Sequence, residues 1–176
     1  MYTVIVLAEQ AMSAKDAEEV LSLHEAIDEP RHYHVLIPCE NAAVRVETAL
    51  GALAASEVLA TPPVVAQDVD VSKAQNEIDA QAGSAVSVSI AEISKQGQPA
   101  SGEFSSNEPI DALERIVAER GAAEVIVMTR HHVVQELLHL DWASKARRRL
   151  GVPILHLVEH EPLEAGAGGG EGVTGM

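Results

Sequence analysis

The apolar residues of this chain form short runs that alternate with longer stretches of helical spacing. Each run is brief, rich in β-branched residues and bounded by turn or helix signals, which is typical of strands buried in a parallel sheet. A more polar segment that contains Gly102 is predicted as an edge strand, because a glycine weakens a strand interior. The predicted strands are residues 3–8, 33–37, 100–105, 124–129 and 153–158.

Helical patterns fill the spaces between these strands. The predicted helices are residues 13–27, 41–60, 72–95, 109–120 and 133–150. Asn107 is predicted to cap the fourth helix, with Pro109 in its first turn and Gly121 at its end. In the third, Val86, Val88 and Ile90 also alternate as they would in a strand, so both interpretations remain open there.

This alternation of strands and helices predicts one α/β domain over residues 1–160. Hydrophobic strands separated by helices favour an open parallel sheet with right-handed crossovers and helices on both faces, as in Rossmann-like folds. Residues 161–176 are rich in glycine and lack apolar periodicity, so we expect a disordered tail.

Composition narrows the classes of partner. The 176 residues contain 27 Asp and Glu against 12 Lys and Arg, a net charge of −15, which disfavours nucleic acids and anionic membranes. No apolar run approaches the length of a spanning helix, and the start of the chain has no basic segment of a secretory signal. Cys39 is the single cysteine, so an internal disulfide is excluded. We therefore expect a cytoplasmic protein.

The stretch from Pro109 to Val158 resembles the universal stress protein family. Its segments GAAEVIVMT and RRRLGVPILHL occupy the slots of that family's penultimate and final strands. The resemblance implies a five-stranded parallel sheet in the order 3-2-1-4-5. It also implies a homodimer that forms through the last strand, from Pro153 to Val158.

This chain lacks the glycine loop with which the ATP-binding members of that family hold the phosphates. Those members carry three spaced glycines after the fourth strand, where their backbone approaches the phosphates closely. Met128, His131 and Leu140 stand in the matching positions. Those members also place an aspartate after the first strand, where this chain has Ala8 and Glu9. The resemblance therefore implies no cofactor and weak or no ATP binding.

A ligand crevice is expected beyond the carboxyl ends of the first and fourth strands, where such a strand order reverses. Arg130 beside a helix N-terminus suits a small anionic ligand, because the helix dipole adds to its charge. The alternative is an Arg130 that pairs with a carboxylate such as Glu9. The predicted lining is Glu9, Gln10, Met12, Ser13, Thr129, Arg130, His131 and His132.

Histidines offer the remaining candidate chemistry. His132, Glu136 and His139 share one helix face and can ligate zinc, although an exposed, solvated face is the favoured interpretation. His32 and His34 flank Tyr33, so we expect them on the same face of the second strand. These two histidines and His156 are expected in the core or at an interface. No Ser-His-Asp, Cys-His or paired-carboxylate spacing is diagnostic, so no catalytic residue is assigned.

The sequence thus predicts a dimeric regulatory or ligand-sensing domain rather than an enzyme. One alternative is a nucleotide-binding protein with a divergent phosphate loop. Another is a small metal- or histidine-dependent hydrolase.

Overall fold

A computed structural model describes residues 1–39, 71–129 and 146–158. Five parallel strands form one sheet in the order β3-β2-β1-β4-β5, as the resemblance implies. The strands are β1 (Tyr2–Ala8), β2 (Arg31–Pro38), β3 (Ala100–Ser105), β4 (Glu124–Thr129) and β5 (Ile154–Val158). The helices are α1 (Ala14–Ser22), α2 (Val71–Lys95) and α3 (Pro109–Arg120), and residues 146–150 are also helical.

Two hydrophobic cores lie on opposite faces of the sheet. On one face, α1 and α2 pack on the side chains of Val4, Val35 and Ile126. On the other, α3 and the helical residues 146–150 pack on those of Ile5 and Val127. Successive strand residues alternate between the faces, so the continuous apolar runs of the central strands fit a sheet that is covered on both sides.

The α2 segment is helical throughout the stretch for which a strand was also considered. Its buried residues are Ala82, Val86, Ser89 and Ile93. Spacings of three and four residues place these side chains on one helix face, against the sheet. Helical periodicity is therefore the correct interpretation of this segment.

Helix α1 is shorter than the predicted 13–27, because a side chain replaces the next helical hydrogen bond. Nδ1 of His24 lies 2.9 Å from the Val20 carbonyl oxygen, which an uninterrupted helix would bond through the backbone. The backbone N–H of His24 instead bonds to Leu21, and the Arg31 guanidinium takes the His24 carbonyl. The chain then leaves the helix and enters β2.

The cap of α3 is Glu108 rather than the predicted Asn107. The Glu108 carboxylate accepts the backbone N–H groups of Ile110 and Asp111 at 2.9 and 3.2 Å. The backbone N–H of Asn107 is bonded to the Ser105 hydroxyl. Gly121 ends the helix with φ 59°, a left-handed conformation that glycine adopts without strain.

The predicted helix 41–60 lies outside the described residues, as do most of the helix 133–150 and the tail 161–176. Ala146, which was predicted to face inward, is buried. Among the helices that the structure describes, none has the length and apolar character needed to cross a membrane.

Candidate functional site

The strand order reverses between β1 and β4, as expected. Ala8 pairs with Met128, so the carboxyl ends of these two strands lie side by side. In open parallel sheets the crevice outside such a reversal is the usual ligand position. Three predicted lining residues lie beyond the described part of the chain, namely Arg130, His131 and His132.

The loop after β1 is held by internal hydrogen bonds. The Met12 N–H donates to Oγ of Ser89 on α2 at 2.9 Å. The Ser13 N–H donates to Oδ2 of Asp16 at 2.7 Å, and the Asp16 N–H donates back to Oγ of Ser13 at 3.2 Å. The last two bonds form a capping box, which fixes the start of α1. Two backbone donors at the crevice are therefore already satisfied within the chain.

Asp16 also determines the charge of this side of the crevice. Its side chain is only 2% exposed and lies in the first turn of α1. A carboxylate there stabilises the positive end of the helix dipole. The same charge opposes the approach of a phosphate to that helix N-terminus.

The other predicted lining residues of the described chain differ in environment. Glu9 and Gln10 are half-buried. Thr129 is buried, and its Oγ1 lies 2.7 Å from Nε2 of His156 on β5. The end of β4 is thus tied to the edge of the sheet by a side-chain hydrogen bond.

The metal candidate His132, Glu136 and His139 lies outside the described residues. Within residues 1–39, 71–129 and 146–158, no three His, Cys, Asp or Glu side chains form a group that can hold a metal ion.

A second polar cluster lies between β2 and β3 on the face that α3 covers. We call its four residues, His32, His34, Ser101 and Glu103, the histidine–serine cluster. Oγ of Ser101 is 2.8 Å from Nδ1 of His34 and 3.3 Å from Nε2 of His32. Nε2 of His34 faces a carboxylate oxygen of Glu103 at 3.6 Å.

Burial sets the protonation of this cluster. His34 is 1% exposed, and burial, with a smaller contribution from Arg120, lowers the pKa of its ring from 6.5 to about 4. Burial and then Arg120 also lower the pKa of His32. Nε2 of His34 is buried without a hydrogen-bond partner in the described chain. The ring of His34 is therefore neutral at neutral pH.

The sequence predicted that these histidines share a strand face, but not that they meet a serine and a glutamate. Ser101 follows His34 by 67 residues, so no local spacing relates them. The register of β2 against β3, which pairs His34 with Ser101, brings them together.

Two further features lie away from the strand-order reversal. A polar groove at the outer edge of β3 contains Arg115, which already pairs with Glu103 and Glu119. Cys39 follows β2 and is half-buried, and burial, followed by the nearby Asp79, raises the pKa of its thiol. Its environment thus favours the unreactive thiol, as expected.

No protein-family model matches this chain, and no curated protein matches it. Solved structures do match. A universal stress protein family protein from Arabidopsis thaliana, with AMP bound, has a TM-score of 0.52 and 11% sequence identity and covers 92% of this chain and 97% of its own. A protein of the same family from Burkholderia pseudomallei has a TM-score of 0.51 and 15% identity, with 89% and 96% covered. The expected resemblance is therefore confirmed at the level of the fold.

Proposed function

We propose that the protein is a regulatory, ligand-sensing domain of universal-stress-protein fold that does not hold ATP through a glycine loop. Its ligand site is the crevice outside β1 and β4, and its ligand is a small anion. The observation that carries the position of the site is the reversal of strand order between β1 and β4. The internal use of the Met12 and Ser13 N–H groups by Ser89 and Asp16 is the observation that argues against a bound ATP phosphate.

A phosphate held at this edge of a sheet normally binds free backbone N–H groups and a helix N-terminus. Here α1 presents a buried carboxylate at that end, and the Met12 and Ser13 N–H groups are already bonded within the chain. These features support weak or absent ATP binding. A smaller anion requires fewer donors, and Arg130, which follows β4 in the sequence, is a positively charged residue that suits such a ligand.

Nucleotide binding through a divergent loop is the second candidate. The observation that favours it is the AMP bound to the Arabidopsis protein, whose fold this chain shares. AMP is therefore the first nucleotide to test beside ATP.

Isothermal titration calorimetry with ATP, AMP and inorganic phosphate tests the proposal. We expect no saturable ATP binding at micromolar affinity, because the usual phosphate donors are already engaged. Saturable binding of ATP or AMP at micromolar affinity or better would instead support the divergent nucleotide site.

Asp16→Asn, with Glu18→Gln as its control, locates the site. Asparagine retains an oxygen that accepts the Ser13 N–H, but it removes the charge that repels an anion at α1. We expect phosphate to bind several-fold more tightly to Asp16→Asn. Glu18 is exposed on the same helix, so its loss changes the net charge equally without altering the crevice. Equal affinities for the two variants would place the ligand elsewhere.

A further inference from the structure

The histidine–serine cluster combines a hydroxyl, a neutral imidazole and a carboxylate in one chain of contacts. Nδ1 of His34 can accept the Ser101 hydroxyl proton only if the ring's own proton is on Nε2. Nε2 then carries the proton and lies 3.6 Å from a Glu103 carboxylate oxygen, which is an electrostatic contact rather than a hydrogen bond. Contact between a nucleophile, a base and a third group that orients the base is the arrangement that activates serine nucleophiles.

The neighbouring side chains fix this orientation. The Arg115 guanidinium binds Glu103 and holds its carboxylate beside His34. Nε2 of His32 lies 3.3 Å from the Ser101 hydroxyl oxygen, so its N–H can donate to that oxygen while the hydroxyl proton is directed to His34. The histidine–serine cluster therefore supplies both a proton acceptor and a second donor to Ser101.

Ser101 is also within reach of a reagent. It is half-buried on β3, which is the outermost strand of the described sheet. The base His34 is almost completely buried, so water has little access to its ring. The Ser101 hydroxyl is therefore accessible to a reagent, while the His34 ring is shielded from water.

We propose that Ser101 is a nucleophilic serine that accepts one acyl group from activated acyl esters or thioesters. Its Oγ attacks the carbonyl carbon, and the hydroxyl proton moves to Nδ1 of His34. The carbon–oxygen or carbon–sulfur bond to the leaving group breaks, and that group takes the proton from His34 as an alcohol or a thiol. The product is a Ser101 ester with a neutral His34.

The reaction is stoichiometric rather than catalytic. The His34 ring is 1% exposed and its Nδ1 faces the Ser101 oxygen, so water has little access to the base that would activate it for hydrolysis of the ester. The acyl group thus remains on the protein as a covalent mark. This property goes beyond the proposed sensing of an anion outside β1 and β4, and it does not depend on that function, because the histidine–serine cluster lies on β2 and β3.

Reaction of the full chain with p-nitrophenyl acetate tests the proposal. We expect release of one nitrophenolate per protein, a mass gain of one acetyl group, and peptide mapping of that group to Ser101. The rate should be constant from about pH 8 to about pH 5, because His34 stays unprotonated over this range.

Variants separate this site from general surface acylation. Ser101→Ala should abolish the adduct, whereas Ser87→Ala should retain it, because Ser87 is an exposed serine on α2 without a histidine partner. His34→Gln should slow acylation about a hundredfold. If circular dichroism shows that His34→Gln is unfolded, the Ser101→Ala and Ser87→Ala pair decides the question alone.

Acetyl groups confined to lysines, the Met1 amine or Cys39 would overturn the proposal, as would an unchanged adduct in Ser101→Ala. Titrations of Ser101→Ala with phosphate and with AMP distinguish the acylation proposal from the proposed ligand site outside β1 and β4. This variant should bind both ligands as the wild type does, whichever way the acylation experiment ends.

Discussion

His34 is a buried titratable residue whose neutral form the fold requires. Its ring is 1% exposed, with Nδ1 facing Ser101 and Nε2 facing Glu103, both on β3. Two cations on α3 oppose a positive ring, while Glu103 partly offsets them. The groups that act on the ring are His32, Glu103, Arg115 and Arg120.

This burial predicts a loss of stability in mild acid. The unfolded ring titrates at 6.5 and the folded ring at about 4, so the unfolded chain binds more protons between these values. Stability from His34 is therefore complete above pH 6.5 and falls as the pH drops toward about 4. The full contribution is about 3 kcal/mol. The free energy of unfolding should fall more steeply with decreasing pH in the wild type than in His34→Gln. Urea unfolding of both proteins across this pH range measures the difference.

His32→Gln is the matched control, since it removes a histidine from the same strand face. His32 is less buried than His34, so this variant should keep most of the wild-type pH dependence. A His34→Gln variant with the same pH dependence as the wild type would contradict the assignment of the effect to His34.

At the scale of elements, the contact of β3 with its neighbours depends on a residue without a side chain. A Cβ at Gly102 would lie 2.8 Å from the Val35 carbonyl oxygen and 2.9 Å from a methyl group of Val86. The first atom belongs to β2 and the second to α2, so both neighbours approach β3 closely. The glycine that marked this segment as an edge strand is thus also a packing requirement.

Gly102→Ala should therefore destabilise the protein by about 2 kcal/mol, because β3 must move away from β2 or α2. Gly83→Ala on α2 is the control. A Cβ there meets the Phe104 ring at an ordinary 3.7 Å, and alanine favours a helix by up to about 1 kcal/mol. Thermal unfolding of both variants should shift in opposite directions. Equal changes in melting temperature would mean that β2 and α2 do not approach Gly102 as closely as described above.

At the scale of the whole molecule, β5 ends the described sheet with apolar side chains on both faces. Leu155 is 40% exposed, and Ile154 and Leu157 are half-buried. An uncovered apolar edge strand promotes aggregation unless another chain covers it. The homodimer that the resemblance implies would bury this strand against the same strand of a second copy, in an isologous contact.

Leu155→Lys should convert such a dimer to a monomer, because each interface would then bury two ammonium groups. Leu23→Lys is the control, since Leu23 is 45% exposed beyond the end of α1 and away from β5. Light scattering at tens of micromolar gives the mass of each variant. A monomeric wild type, or a Leu155→Lys variant of unchanged mass, would remove the dimer proposal.

The positions of the strands and of the described helices were predictable from the sequence because their signals are local. A β-branched apolar run, a capping serine such as Ser13, or a glycine such as Gly121 acts within a few residues. The structure differs from the prediction at two helix ends, where a side chain hydrogen-bonds to the backbone. His24 ends α1 by taking the Val20 carbonyl, and Glu108 displaces Asn107 as a cap.

The sequence by itself thus determined the fold class and, through its resemblance, the strand order with its reversal between β1 and β4. Only the tertiary structure decided that Ser89 takes the Met12 N–H beside that reversal, and that Ser101 lies against His34. Such pairings depend on strand register and helix packing, which join residues far apart in the chain. Their free energy comes from burial and from contacts across elements, so no local pattern encodes them.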